Sequence, residues 1–536
     1  MKRRFVTTSI GAAALGALLL VPLQGCTDLA EVPSSAITPS TFFNNAAEVV
    51  AGLAGVYAQL RSTTDNNDYY SLSEVTTDEM VVPTRGQDWY DNGTWLELHG
   101  QTWSPTSPGT ASFQNTAWNT AMAGVARANL LLEALPRVHA VPDSAGIKAE
   151  ARTLRAFYYY LLMDLFGGVP IATETDIKPR PRSTRAGLFR FIESELLAAR
   201  PDLPFTRNAA NAGRVTKGAV DAILANMYLN AGVFTKDTAG TGATQIKAAA
   251  YNSCAGVPVA GGLDACQAAV NRVDSILASG VYQLADTFAK NFRPDNNLSP
   301  ENIFVVKFID ADGLGLNFVM RSLHYSQFTP EPWNGFATLA QTYNAFDSLD
   351  QRRKIFLVGL QKNLETGVDV CERPGCAKGA PRLNFTTSIA NVTRATEGEG
   401  ARMYKWPIDP KHVAQNNGND FAYFRLAEML LIKAEAEGEG ATGNPPDAPL
   451  TLLQRVRARS VPQPDTLSSA SHAAILRERL FELTGEAKRR QDLIRHGQYT
   501  QAWQFKAAGA DYRVLMAIPH TQIDANPMLT QNPGYP

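Results

Sequence analysis

Little in this chain is extreme, and the shortages exclude more than the abundances do. Charged residues are only 19% of the 536 and the formal net charge is -1. A chain this close to neutral carries no basic stripe, which argues against nucleic acid as a partner. The known catalytic signatures are missing too. There is no Gly-x-Ser-x-Gly elbow, no His-Glu-x-x-His, no phosphate-binding Gly-x-x-x-x-Gly-Lys, and no Gly-x-Gly-x-x-Gly between a strand and a helix. The seven histidines are scattered. No catalytic residue and no cofactor is assigned on this basis.

Cysteine is scarce, with five in the whole chain, and the first has a special setting. Met1-Lys2-Arg3-Arg4 is followed by an apolar, charge-free run from about Gly11 to Leu23, too short for a comfortable membrane span. It ends in Leu23-Gln24-Gly25-Cys26, which resembles the cleavage box of bacterial lipoproteins. Residues 1–25 are therefore expected to be a lipoprotein signal peptide, Cys26 the acylated residue, and 26–40 a tether. At ~0.8 kcal/mol per buried methylene, several acyl chains would hold the protein on a membrane. The other four cysteines suit an oxidising compartment. They permit three pairings, of which the Pro374-Gly375 turn favours Cys371 with Cys376, leaving Cys254 with Cys266. Zinc is disfavoured because no Cys-x-x-Cys occurs and no histidine lies close to either pair.

Helical periodicity dominates what remains. Ala121, Val125, Ala128, Leu132 and Leu135 follow Trp118 at steps of three and four, and Ile147, Ala151, Leu154, Tyr158, Leu161 and Leu165 repeat the device. Gly167-Gly168 closes that second helix. Further helices are expected over 188–199 and 216–231, the latter capped by Thr216. Residues 41–233 read as an N-terminal helical scaffold holding ligand loops at 61–112. From 234 to 420 the composition turns to Gly, Asn, Pro and Thr, with one helix at 266–279 and a strand-like run Ile303 to Phe308. This is expected to be a loop-rich insertion, not a separate core. Helices resume at 421–438, 448–459 and 471–497 in a C-terminal scaffold and tail, 421–536. The fold class is mainly α. Paired amphipathic helices point to a tetratricopeptide-like stack, with a large irregular insertion containing short strands, and a generic bundle fits the periodicity equally.

Several blocks in fixed order resemble the SusD/RagB family. They are Thr38 to Phe43, Ala47 to Tyr57, Trp118 to Asn129, Ala149 to Leu161 running on to Ile171, Phe424 to Ala436, Leu453 to Arg459, and the tail from Pro519 through Asn526-Pro527 to Tyr535. One block departs. Where the family commonly has Glu-Gly, then Arg, two aromatics and Asp-Leu, this chain has Glu486-Ala487 and then Arg489, Arg490, Gln491 and Asp492-Leu493. Its Glu486, Arg489, Asp492 and Arg495 are expected to be a salt-bridged framework. The resemblance implies an outer-membrane, lipid-anchored cell-surface protein. Such a protein captures a glycan, or in some branches a peptide, and delivers it to a SusC-type TonB-dependent transporter. A lipid-anchored glycoside hydrolase and a helical-repeat assembly protein without a small ligand are the rival readings.

Candidate ligand contacts follow from composition. Trp and Tyr stack on the apolar face of a sugar while amides and carboxylates take its hydroxyls. Asp88, Trp89, Tyr90 and Asn92 offer both, as do Tyr325, Trp333 and Asn334 in the insertion. Trp89, Tyr90 and Trp333 are expected to form an aromatic platform. Trp118 and Trp406 are expected in the core, while Trp95 and Trp103 fit either role. Asp65 to Asp68 and Asp310 to Asp312 have oxygens that calcium accepts, but polar turn chemistry is the simpler explanation.

Overall fold

A computed structural model describes residues 42–240, 245–372, 376 and 379–536. The expected signal peptide, the tether and Cys26 lie outside the described residues.

The first helix, α1 (Ala46–Ser62), opens where the Asn45 side chain accepts the Glu48 N–H at 3.0 Å. Short helices α2 (Tyr69–Glu74) and α3 (Thr94–Gly100) lead to α4 (Thr110–Ala134), whose buried Ala117, Trp118, Ala121, Val125 and Ala128 mark one face. That face meets α5 (Ser144–Phe166), a helix buried on nearly every side. The approach is close because position 124 is glycine: a Cβ there would stand 2.4 Å from the Tyr158 ring. On its other side α5 packs against α6 (Arg185–Ala199), and then α7 (Lys217–Leu229) pairs with α8 (Ala265–Ala278). Thr216 caps α7 by accepting the Ala219 N–H.

The C-terminal scaffold continues the pairing. Helix α9 (Leu426–Gly438) lies on α8, on α10 (Pro449–Arg457) and on α11 (His472–Leu483), and α12 (Arg489–Arg495) follows. The architecture is a mainly helical, tetratricopeptide-like paired scaffold carrying a loop-rich segment. Among the described residues, no helix is long and apolar enough to cross a membrane.

Two expectations need correction. Residues 421–425 are not helical: Phe421–Arg425 is a strand, here called β4, paired antiparallel with β2 (Asn302–Val306). All five of its residues are buried, and a run of Phe, Tyr and Phe is better accommodated in a two-sided strand. The helix expected over 471–497 is broken in two. Between α11 and α12 the chain turns at Gly485 (φ 80°) and Ala487 (φ 58°), left-handed conformations that no helix accommodates.

One continuous core runs from Phe43 to Tyr535 and takes in Phe304, Phe318 and Phe336. The loop-rich segment is thus anchored on the scaffold's own interior. Cys254 is bridged to Cys266 and Cys371 to Cys376, with Cα separations of 5.1 and 5.3 Å.

Candidate functional site

Two loops more than two hundred residues apart in sequence are joined by a two-residue ladder. Strand β1 (Met80–Val81) pairs antiparallel with β3 (Ala337–Thr338), Met80 opposite Thr338. That register sets the 85–93 loop beside the 333–336 segment. The segment is itself fixed to the short helix Phe318–Ser322, the Trp333 N–H donating to Met320 O at 2.6 Å and the Gly335 N–H to Arg321 O at 2.8 Å.

Trp89 and Trp333 meet there. Trp89 Nε1 donates to the Trp333 carbonyl at 2.5 Å, and the ring centroids are 6.5 Å apart at 48°. Both rings are half-buried. Trp89 lies edge-on to Trp95 and Phe336 at 5.1 and 5.7 Å, so its inner edge is fixed by buried rings. It also lies flat on Gly335, where a Cβ would come within 2.3 Å of the indole. The backbone is held in unusual shapes around it: φ is 60° at Trp89, 39° at Asp91, 55° at Asn92 and 50° at Asn334. Non-glycine residues adopt this region at a cost of about 1–3 kcal/mol each, and such conformations cluster at ligand sites.

Beneath the rings is a buried polar base. Arg85 and Arg402, 2% and 0% exposed, donate mainly to backbone carbonyls. Arg85 reaches the carbonyls of Asn334 (3.0 Å), Glu399 (2.7 Å) and Thr396. Arg402 reaches those of Glu399 and Gly400 (both 2.7 Å) and Glu397 (2.9 Å), and also Asn334 Oδ1 at 3.0 Å. Burial lowers both guanidinium pKa values, that of Arg85 to about 10. His324 is pushed down to about 4 by burial and then by Arg402, so it is neutral at pH 7. Burial raises the Glu397 carboxyl. The Tyr325 hydroxyl, raised by burial and by its hydrogen bond to Asp88, donates to that carboxylate.

The structure thus brings Trp89, Trp333, Asp88, Tyr325 and Asn334 together. Asn334 is corrected in role: it is fully buried, bonded to Glu397 and Arg402, and positions the loop without surface to offer a ligand. Tyr90 stands 58% exposed with no ring neighbour among the described residues, and Asn92 is exposed beside it. Trp95, Trp103, Trp118 and Trp406 are all core, at most 4% exposed. Arg85, Arg402 and Glu397 escaped the sequence reading. Gly335, in the sequence Trp333-Asn334-Gly335-Phe336, was the available signal, since a glycine beside aromatics marks close approach.

The pair forms an open platform. Concavities of about 280, 350, 510 and 650 Å³ lie elsewhere, and Trp89 and Trp333 line none of these. The Asp65 to Asp68 run is explained without calcium: Asp68 is buried, caps α2 and accepts the Thr120 hydroxyl at 2.6 Å. Among the described residues, no group of three His, Cys, Asp or Glu could hold a metal ion.

Comparison with known proteins gives a consistent picture. Residues 291–513 match the model of the SusD family, and 29–229 match one described as starch-binding associating with outer membrane. The starch-binding protein SusD of Bacteroides thetaiotaomicron is 25% identical over 524 residues, 87% of this chain and 85% of its own. SusD-like protein P25 of Formosa agariphila is 22% identical over 95% of this chain and 96% of its own. Among solved structures, surface glycan-binding protein A of Bacteroides thetaiotaomicron, in complex with laminarihexaose, superposes with a TM-score of 0.69. It is 19% identical and covers 91% of this chain and 99% of its own. A laminarin-binding SusD-like protein gives 0.68 at 22% identity, covering 92% and 100%. At such identities the structures show the shared fold. None of these relatives is described as an enzyme, and three of the four are described as binding starch or a glycan.

Proposed function

Because this chain belongs to the SusD family, we propose that it captures an oligomeric glycan at the cell surface and hands it to a SusC-type TonB-dependent transporter. Lipid on Cys26 would hold it at the outer membrane. The relatives named for starch and laminarin support a glycan, and the leader sequence supports the anchor. The observation that carries the reading is the convergence of Trp89 and Trp333, from loops far apart in sequence, on one half-exposed aromatic surface.

The mechanism needs no covalent step. The rings stack on the apolar face of a sugar unit, and Asp88, Tyr325 and Glu397 at the rim accept or donate hydrogen bonds to its hydroxyls. Arg85, Arg402 and Asn334 hold the loop backbones so that the rings keep their spacing, which lowers the ordering cost of binding. Tyr90 and Asn92 extend the surface on one side. Affinity should be modest, since a carrier that never releases its cargo would stall uptake.

Affinity electrophoresis through gels containing starch, laminarin or other polysaccharides tests this. Retardation by at least one polysaccharide, lost in Trp89→Ala and Trp333→Ala, is expected. Migration unaffected by every polysaccharide, with a peptide library bound instead, would move the ligand to the peptide class. Release of new reducing ends would turn the protein into a hydrolase.

A further inference from the structure

We propose that a second groove, between α1 and β2 and separate from the aromatic platform, takes an anionic sugar unit: a uronate or a sulfate ester on a glycan chain. The groove has two lobes of about 350 and 280 Å³, which share Ala212, Gly213, Arg214, Val305 and Lys307 and so are continuous. Its smaller lobe is near the lower end of the roughly 300–1,000 Å³ of ordinary ligand sites. None of its lining residues belongs to the Trp89 site.

Its charge is unbalanced. Arg61, Arg207, Arg214 and Lys307 line it. Arg207 and Arg214 share a single carboxylate, the fully buried Glu150, at 2.8 and 2.6 Å. Tyr57 Oη donates to that same carboxylate at 2.5 Å. Lys307 pairs with Asp420 at 2.7 Å. Arg61 has no carboxylate partner among the described residues, and its Nε donates only to the Lys307 carbonyl at 3.0 Å. Four cations against two paired carboxylates leave 4 − 2 = +2, in a chain whose formal net charge is -1. Asp143 acts on Arg214 from farther off and offsets part of this. Lys217, 5.6 Å from the centroid of the Phe205 ring at the edge of the groove, adds to it.

The remaining lining suits a sugar. Phe205, Tyr57 and Tyr282 present half-buried ring edges, and Asn297 is an exposed amide. Asn302 carries a second observation. Its Oδ1 is buried on the wall of the groove without a hydrogen-bond partner, an arrangement that folded proteins seldom leave unfilled. A rotation of the amide toward the groove would let a ligand hydroxyl satisfy it. Cations supply the attraction, ring edges the apolar contact, and the amides hydroxyl recognition, the combination an acidic glycan requires.

Calorimetric titration of the mature protein with an oligogalacturonate and with a sulfated galactan oligosaccharide tests the groove independently of the platform. Binding of at least one is expected, weakened about fivefold or more by Arg61→Gln and by Lys217→Gln, weakened by salt, and unchanged in Trp89→Ala. Melting temperatures near wild type for the two groove variants would show that they fold. Failure to bind either probe would overturn the proposal. So would affinity that ignores Arg61→Gln and Lys217→Gln but disappears in Trp89→Ala, and so would binding confined to phosphatidylglycerol vesicles.

Discussion

Buried arginines occur on both sides of this molecule, and the two groups are held by opposite means. In the C-terminal frame Arg425 meets Glu301, Glu482 and Glu486 at 2.5, 3.1 and 2.7 Å, and Arg352 meets Asp350, Glu478 and Glu482 at 2.7, 2.5 and 3.0 Å. Their carboxylate neighbours hold both guanidinium pKa values above the usual one although burial pulls them down, and Glu482 is drawn down to about 2. Under the aromatic platform Arg85 and Arg402 face carbonyls and burial wins, so their pKa values fall. Paired charges tie distant elements together. The lone ones hold a loop in a shape it would not otherwise keep, and that is where the exposed tryptophans are.

The comparison breaks most visibly if the frame proves soft. Replacing Arg425 by Ala takes one shared cation from three buried carboxylates, leaving Glu301 and Glu482 to Arg459 and Glu486 to Lys405. A loss of about 3–5 kcal/mol is expected in urea unfolding, with glycan affinity preserved in whatever remains folded. A smaller loss than that from Arg402→Ala would invert the contrast.

pH separates the two sides next. Asp68, on the loop side, is raised by burial to about 7, against about 4 in the unfolded chain. The folded state binds that proton more tightly, so this stabilisation is full below pH ~4 and is lost as pH rises through 7. Between pH 5 and pH 8 wild type should lose up to a few kcal/mol through this group, a loss that Asp68→Asn removes in pH-dependent melting. Glu482 has the opposite sign: its contribution is present above pH ~4.3 and is lost as pH falls toward 2.

Arg402→Ala comes third. It deletes donors to three carbonyls and to Asn334 Oδ1, at about 1–3 kcal/mol. Glycan affinity should fall with it, because Asn334 and the Trp333 turn lose their support. Unchanged affinity would show that the platform does not need its base. The smallest effect is expected at Ala487, whose φ of 58° favours glycine. Ala487→Gly should gain about 0.5 kcal/mol, the relief of left-handed strain less the added unfolded-state freedom.

Much of the scaffold was legible because helices announce themselves within a few residues. Thr216 as a cap, the Gly167 stop and the faces of α4 and α5 are all local patterns. The strand β4 was not legible: its partner lies more than a hundred residues away, and five buried residues in a row show neither period. At the platform, Trp89 and Trp333 stood out by composition, whereas Arg85 and Arg402 did not. An arginine whose partners are backbone carbonyls has no complementary residue type to betray it. Asn334 was misread because both ends of its amide are taken by side chains distant in sequence, Arg402 and Glu397. Where the family's Glu-Gly becomes Glu486-Ala487, the structure gives the departure its physical content: a left-handed turn without its glycine.

The central claim is that Trp89 and Trp333 act as one surface. Calorimetry of a retained oligosaccharide with Trp89→Ala, Trp333→Ala and the double variant measures this directly. Each single change should weaken binding about tenfold or more, ~1.4 kcal/mol, and the double little further, because either loss dismantles the shared face. Wild-type affinity in both single variants would contradict the account.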